Sequence, residues 1–162
     1  GRFEAGGLKG GILGGVFTGT AVRGLIQIIL FWGVGILAFH IDMGIAPWAV
    51  VLLSALTVIM SSAFTVMLAT LAKTQRAAGS LGVITALVLA PLGGCWWPLF
   101  IYPRWLQTMA KVTPHAWATT GFNKLLIFGA DFSSVVPEML MLCALALVFG
   151  VVAVVRFRAS AL

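Results

Sequence analysis

Four long apolar stretches occupy most of this chain. They cover residues 22–39, 48–71, 78–99 and 135–155. Each is long enough to cross the ~30 Å hydrocarbon layer of a bilayer as a helix that rises ~1.5 Å per residue. None has the alternating polarity that is typical of membrane barrel strands. Because lipid admits only helices and closed barrels, the pattern predicts an all-α, polytopic membrane protein with four transmembrane helices.

A helix break interrupts the end of the third stretch. The chain there has the sequence Gly93-Gly94-Cys95-Trp96-Trp97-Pro98, and paired glycines followed by a proline end a helix. The following residues stay apolar as far as Ile101. We therefore predict a re-entrant turn, in which protein or water satisfies the irregular backbone within the membrane. A simple loop that leaves the bilayer is the alternative.

Residues 100–134 are predicted to form an external amphipathic segment. Pro103 suits the start of a short interfacial helix, on which Trp105, Leu106 and Met109 share a face. A second amphipathic helix is expected from His115 to Phe128. Its apolar side carries Trp117, Phe122, Leu125 and Leu126, and its polar side carries Asn123 and Lys124.

Hydroxyl side chains form a weakly polar stripe on the second apolar stretch. Its members recur at intervals of three and four residues, so they share a helix face: Ser54, Thr57, Ser61 and Thr65. Such a stripe most often joins neighbouring membrane helices. The alternative is that it lines a path for an amphipathic molecule.

The basic residues indicate the orientation in the membrane. Most of the ten lie on one predicted side, namely Arg2, Lys9, Arg23, Lys73, Arg76, Arg156 and Arg158. The positive-inside rule makes that side cytoplasmic, so both ends of the chain are expected in the cytosol. Topology and attraction to anionic lipid headgroups account for the net charge of +6, and a nucleic-acid partner is not needed.

The composition leaves little room for a second folded unit. The chain has 162 residues, of which 61% are hydrophobic and 9% charged, and its mean hydropathy is +1.12. We expect one transmembrane domain over residues 1–162, with residues 1–21 as a cytoplasmic segment. Because the chain opens at Gly1 without an initiator methionine, we also expect a fragment from which earlier helices are missing.

The sequence contains no recognisable catalytic motif. It has no Gly-Lys dipeptide, and hence no Walker A loop, and neither His-Glu-x-x-His nor Gly-x-Ser-x-Gly. His40 and His115 have no clustered ligands at metal-binding spacing. Cys95 and Cys143 are interpreted as buried thiols outside any disulfide. Glu138 lies near the start of the last stretch, where the helix dipole accounts for a carboxylate. We expect no enzyme activity, cofactor or metal on this chain.

Several short segments resemble the membrane permeases of ABC-2 type transporters. The similar residues are 73–76, 93–98, 103–107, 113–118, 121–122 and 156–158. That family has six helices, so the resemblance implies that this chain contains the last four. It also implies a partner ATPase in two copies, which binds ATP and Mg, and a second permease copy or homologue. Glu4 and Lys9, with Lys73 and Arg76, would then contact the ATPase. The alternative for the glycine-rich amino-terminal segment is that its small residues at four-residue spacing allow close helix packing.

The resulting hypothesis is a permease subunit in a bacterial plasma membrane. It would export a hydrophobic or amphipathic compound, with ATP hydrolysed by the separate subunit. The broken segment would bound the outer end of the path through Gly93, Gly94, Trp96, Trp97 and Pro98. A secondary transporter or channel that ATP does not drive is the alternative. The predicted spans hold no buried carboxylate or basic relay, which argues against proton coupling.

Overall fold

The computed structural model describes residues 2–72 and 74–159, with side chains described from residue 11 onward except at position 75. This part of the chain contains six α-helices, one 3-10 turn and no β-strand. The helices are α1 (Arg2–Phe39), α2 (Pro47–Leu71), α3 (Gln75–Leu92), α4 (Arg104–Ala110), α5 (Pro114–Leu126) and α6 (Phe132–Ala159), and the 3-10 turn is Leu99–Ile101. The prediction of an all-α protein is confirmed.

Three helices are long and apolar enough to cross a membrane. They comprise Gly11–Phe39 within α1, together with α2 and α6. The apolar part of α3, Arg76–Leu92, is shorter than these three. The described part of the chain therefore supports a membrane protein with three clear spans, and a fourth span through α3 stays a prediction.

The first helix begins earlier than the first apolar stretch. The expected boundary between a cytoplasmic segment, 1–21, and a span at 22–39 lies inside the continuous helix α1. Two threonine hydroxyls in this region bond to carbonyl groups of their own helix: Thr18 donates to Gly14 O and Thr20 donates to Phe17 O, each at 2.8 Å. No proline interrupts the sequence there, and the helix continues through Gly14, Gly15 and Gly19.

The third helix ends earlier than its apolar stretch, at Leu92 rather than near residue 99. Gly93 is the C-terminal cap, and Gly94 follows with φ +80 in the left-handed region that favours glycine. A side chain at Gly94 would also meet Leu99. The paired glycines therefore end the helix as the sequence indicates, although apolar residues continue beyond them.

The last helix begins earlier and ends later than the predicted span 135–155. Asp131 precedes it, and its Oδ1 accepts a hydrogen bond from the Ser134 backbone N–H at 3.3 Å. This N-terminal cap starts the helix at Phe132. Glu138 consequently lies beyond the first turn, so the helix dipole does not account for its position.

The core lies where α2, α5 and α6 meet. The most extensive helix contact joins α2 to α6, and α5 packs against both. The largest fully buried apolar side chains come from these three helices: Val50, Leu53, Leu125, Val135 and Leu142. Gly121 allows the close approach of α5, because a Cβ there would lie 2.8 Å from Leu53 Cδ2.

Candidate functional site

A polar groove lies between α1 and α2. Its volume is about 240 Å³, and it is lined by Thr20, Gly24, Gln27, Ile28, Thr57, Val58, Ser61, Ser62 and Thr65. The helices approach closely at Gly24, where an added Cβ would lie 2.8 Å from Val58 Cγ1. A small residue on α1 thus sets how near the two helices come, and the hydroxyl stripe of α2 forms one wall of the groove.

The hydroxyls in this groove donate to their own helix. Thr57 donates to Leu53 O at 2.8 Å, Ser61 to Thr57 O at 2.7 Å and Thr65 to Ser61 O at 2.8 Å. These bonds use the hydroxyl protons and leave oxygen lone pairs free to accept. The groove wall therefore offers acceptors along an otherwise apolar surface.

Ser54 has a different position from the other three members of the stripe. It is buried, donates to Val50 O at 2.8 Å and accepts a hydrogen bond from Trp32 Nε1 on α1 at 3.0 Å. It therefore joins two helices and does not line the groove. Thr57, Ser61 and Thr65 line the open space, and their role in a path stays a prediction.

The turn after α3 is fixed by contacts with more distant residues. Thr119 Oγ1 donates to Gly93 O at 2.6 Å, and Tyr102 Oη donates to Pro91 O at 2.9 Å. Gly93 packs so closely against His115 that no Cβ would fit there. These bonds satisfy carbonyl groups at the end of α3 and tie the turn to α5.

The residues that were predicted to bound the outer end of the path include both buried and exposed ones. Gly93 and Gly94 are buried. Trp96 and Trp97 are exposed and pack edge to face, with their ring centroids 6.0 Å apart. Pro98 precedes the 3-10 turn. The structure thus shows a helix break with exposed indoles, and its re-entrant or gating role stays a prediction.

The predicted ATPase-contact residues are only partly described. Glu4 and Lys9 belong to the backbone of α1, but their side chains lie outside the described part, and Lys73 lies outside the described residues altogether. Arg76 is the second residue of α3 and is exposed. Their proposed contact with an ATPase stays a prediction.

A partly buried ion pair joins α5 to α6 and was not predicted from the sequence. Lys124 Nζ lies 2.8 Å from Glu138 Oε1 and also donates to Ser134 O at 2.8 Å. Glu138 is buried, and its Oε2 has no hydrogen-bond partner among the described residues. The expectation that the spans hold no buried carboxylate is therefore wrong. A carboxylate within an apolar helix and a lysine in the helix before it were the available signal.

The ion pair lies in the wall of a second cavity. This pocket has a volume of about 420 Å³ and is lined by Leu99, Phe100, Gln107, Lys111, Ala116, Trp117, Thr120, Asn123, Lys124, Phe128 and Glu138. Trp117 is held in place by a hydrogen bond from its Nε1 to Lys111 O at 2.8 Å. Aromatic, polar and charged groups thus meet in one space.

The chain has two histidines and two cysteines, and His115 and Cys95 are the ones near the break. Burial lowers the pKa of His115 below its ordinary value of 6.5, and its Nδ1 is buried without a partner among the described residues. Cys95 and Cys143 are free and exposed, so the expectation of buried thiols is wrong. Cys95 lies in the turn beyond the end of α3.

The long apolar helices define a helical protein of the integral membrane class. The sequence profile of the ABC-2 type transporter family matches residues 12–127. The chain therefore belongs to the ABC-2 type transporter family, which confirms the resemblance found in the sequence. The match runs from α1 through α5 and ends before α6.

A characterised relative agrees with this assignment. The chain is 26% identical over 124 residues to the linearmycin resistance permease protein LnrN of Bacillus subtilis (strain 168). The alignment covers 75% of this chain and 31% of LnrN, so the chain spans about a third of the length of that relative. No solved structure matches the chain.

Proposed function

We propose that this chain forms part of the membrane permease of an ATP-driven exporter in a bacterial plasma membrane. The observation that carries the proposal is the family match over residues 12–127, on a fold whose long helices are apolar enough to span a bilayer. The absence of a Walker A sequence in this chain supports placing ATP and Mg on a separate ATPase subunit.

The proposed assembly has two ATPase copies and a second permease copy or homologue. In it, α3 crosses the membrane as a fourth span, which its length of about 27 Å supports. Both ends of the chain are then cytoplasmic, together with Arg76 and the basic end of α6. Arg76 and the residues near Glu4, Lys9 and Lys73 contact the ATPase.

The proposed cargo is a hydrophobic or amphipathic compound. The name of LnrN refers to resistance, which fits the removal of a harmful compound from a cell. The groove between α1 and α2 supports this cargo class, because it combines hydroxyl acceptors with apolar walls. The broken segment at Gly93–Pro98 bounds the outer end of the path.

Co-purification tests the dependence on an ATPase. The protein is extracted from its native membrane in mild detergent, and an associated ATPase with vanadate-sensitive ATP hydrolysis is the expected result. Reconstituted transport that needs neither an ATPase nor ATP would contradict the proposal and favour a secondary transporter or channel.

Substitution in the groove tests the proposed path. Ser61→Leu fills space beside α1, and we expect it to lower ATP-driven export severalfold while the ATPase still co-purifies. Ile59→Leu is the matched control, since Ile59 is an exposed apolar residue of the same helix that does not line the groove. Equal export by the two variants would remove the groove from the path.

A further inference from the structure

The pocket beside the Lys124–Glu138 pair has the size of a ligand site. Its volume of about 420 Å³ falls within the range of roughly 300–1,000 Å³ that is usual for small-molecule pockets. Its walls come from the 3-10 turn, α4, α5 and α6. The groove that we propose for the transport path lies elsewhere, between α1 and α2, so this pocket is a separate candidate site.

An unsatisfied acceptor lies in the wall of this pocket. Glu138 is 5% exposed, and only its Oε1 is engaged, by Lys124 at 2.8 Å. The buried Oε2 has no partner among the described residues. Because a buried carboxylate oxygen without a donor is costly, the complementary ligand is one that donates hydrogen bonds.

A free cationic side chain lines the same pocket. Lys111 is exposed, and it makes no ion pair among the residues that the structure describes. The pocket is thus lined by a buried carboxylate with one unpaired oxygen and by an exposed ammonium group. A zwitterion with a cationic donor and an anionic group matches both.

The pocket lies at one end of α6, far from the basic end of that helix. Along α6, Glu138 and Arg156 are separated by about 27 Å at ~1.5 Å per residue, which approaches the thickness of a hydrocarbon layer. If Arg156 lies at one membrane surface, the pocket lies near the opposite headgroup layer. Phe100 and Phe128 line the pocket with ring centroids 5.2 Å apart and give it an apolar side.

We propose that this pocket binds a headgroup in which a primary ammonium is joined to a phosphodiester. The ammonium donates to Glu138 Oε2, and Lys111 pairs with the phosphate. In a bilayer the source is an ethanolamine phospholipid, and in solution it is glycerophosphoethanolamine. A choline headgroup is disfavoured, because its quaternary nitrogen has no N–H to donate.

Native mass spectrometry of the purified protein in detergent tests whether the pocket prefers ethanolamine to choline headgroups. The experiment needs neither nucleotide nor ATPase, so its result is independent of the proposed export function. Ethanolamine and choline phospholipids with identical acyl chains are titrated separately. We expect binding of the ethanolamine lipid to be tighter by about tenfold, a difference that one charge-assisted hydrogen bond supports. Equal affinity for the two lipids would overturn the proposal.

Variants locate the binding in this pocket. Glu138→Gln is expected to abolish the preference for ethanolamine. Because this change also removes the charge that partners Lys124, Thr120→Leu provides a second variant that fills the pocket and keeps the ion pair. We expect it to lower affinity for the ethanolamine lipid severalfold. Unchanged binding by a folded Thr120→Leu protein would contradict the site.

Paired charge variants test the phosphate contact, and a competitor identifies the source. Lys111→Ala should weaken ethanolamine-lipid binding severalfold, whereas Arg104→Ala should not, because Arg104 is exposed outside the pocket. Equal loss in both would contradict the role of Lys111.

Displacement of bound lipid by glycerophosphoethanolamine would support the same chemistry with a soluble source, and retention of the lipid would support a bilayer source.

Discussion

Removal of one partner of the Lys124–Glu138 ion pair should lower the stability of the protein. Lys124→Met leaves both oxygens of a buried carboxylate without a cationic partner. We expect a loss of about 3 kcal/mol, near the low end for a broken buried pair, because a third of the Lys124 side chain is exposed. Thermal unfolding in detergent measures the change.

Lys111→Met is the control for this prediction, because it removes an exposed lysine that makes no ion pair among the described residues. The double variant Lys124→Met/Glu138→Leu should recover much of the lost stability, since it buries no unpaired charge. Equal melting of Lys124→Met and Lys111→Met would show that the ion pair contributes nothing.

His115 should make the stability depend on pH. Its pKa is lowered by burial, so below its ordinary value of 6.5 the unfolded chain binds a proton that the folded chain does not. Stability is therefore fully present above about pH 6.5, falls as the pH drops, and levels off below the folded pKa. His115→Gln should flatten this slope in melting curves taken between pH 8 and pH 5.

His40→Asn is the matched control for the pH experiment. His40 is exposed and has φ +52, a left-handed conformation that asparagine tolerates. This variant should keep the pH slope of the unmodified protein. A pH slope that disappears with His40→Asn and persists with His115→Gln would contradict the assignment of the pH dependence to His115.

The end of α3 packs tightly against the start of α5, and the stability of the protein should depend on this packing. Gly93→Ala would push a Cβ into His115 and the start of α5. Overpacking of this kind typically costs about 1–3 kcal/mol, so the melting temperature should fall. Gly79→Ala in the same helix is the control, because nothing lies within 4 Å of the position of its Cβ. Equal stability of the two variants would show that the turn accommodates the added methyl group without loss of stability.

Two described contacts fix how α1 packs on α2. They are the Trp32–Ser54 hydrogen bond and the close approach of Gly24 to Val58. Most of the α1 surface is exposed in the described part of the chain: only 6% of its apolar window is buried, compared with 44% for α2. In a membrane, lipid or a second permease copy would cover this apolar surface, in keeping with the proposed assembly.

For the whole molecule, chemical labelling tests whether α3 crosses the membrane. Cys95 and Cys143 are first replaced by alanine, because both are exposed and free. Thr74→Cys and Val112→Cys then place a single thiol before α3 and after α4; Val112 is 85% exposed. With intact cells, a membrane-impermeant maleimide should label Val112→Cys and should label Thr74→Cys only after permeabilisation.

Equal labelling of the two cysteines in intact cells would place both ends of α3 on one side of the membrane. The prediction of four spans would then be wrong, and α3 would lie within or upon one leaflet. The labelling result would also orient the chain, because it shows which end of α3 faces the cytoplasm.

The local pattern of residues determined the helices of this protein. Runs of apolar residues placed α1, α2 and α6, and the sequence Gly93-Gly94 marked the end of α3, because helix formation and glycine breaks depend on neighbouring residues. Because apolar residues continue up to Leu99, the predicted third span ended later than α3 does. Hydropathy does not report backbone conformation. The family also followed from short local segments.

The tertiary structure alone decided which side chains meet. The rotation of each helix about its axis and its position against its neighbours placed Lys124 against Glu138 and Ser54 against Trp32. The same packing left Thr57, Ser61 and Thr65 facing an open groove. Sequence spacing shows which residues share one helix face, whereas the face that another helix covers depends on contacts between residues distant in the chain.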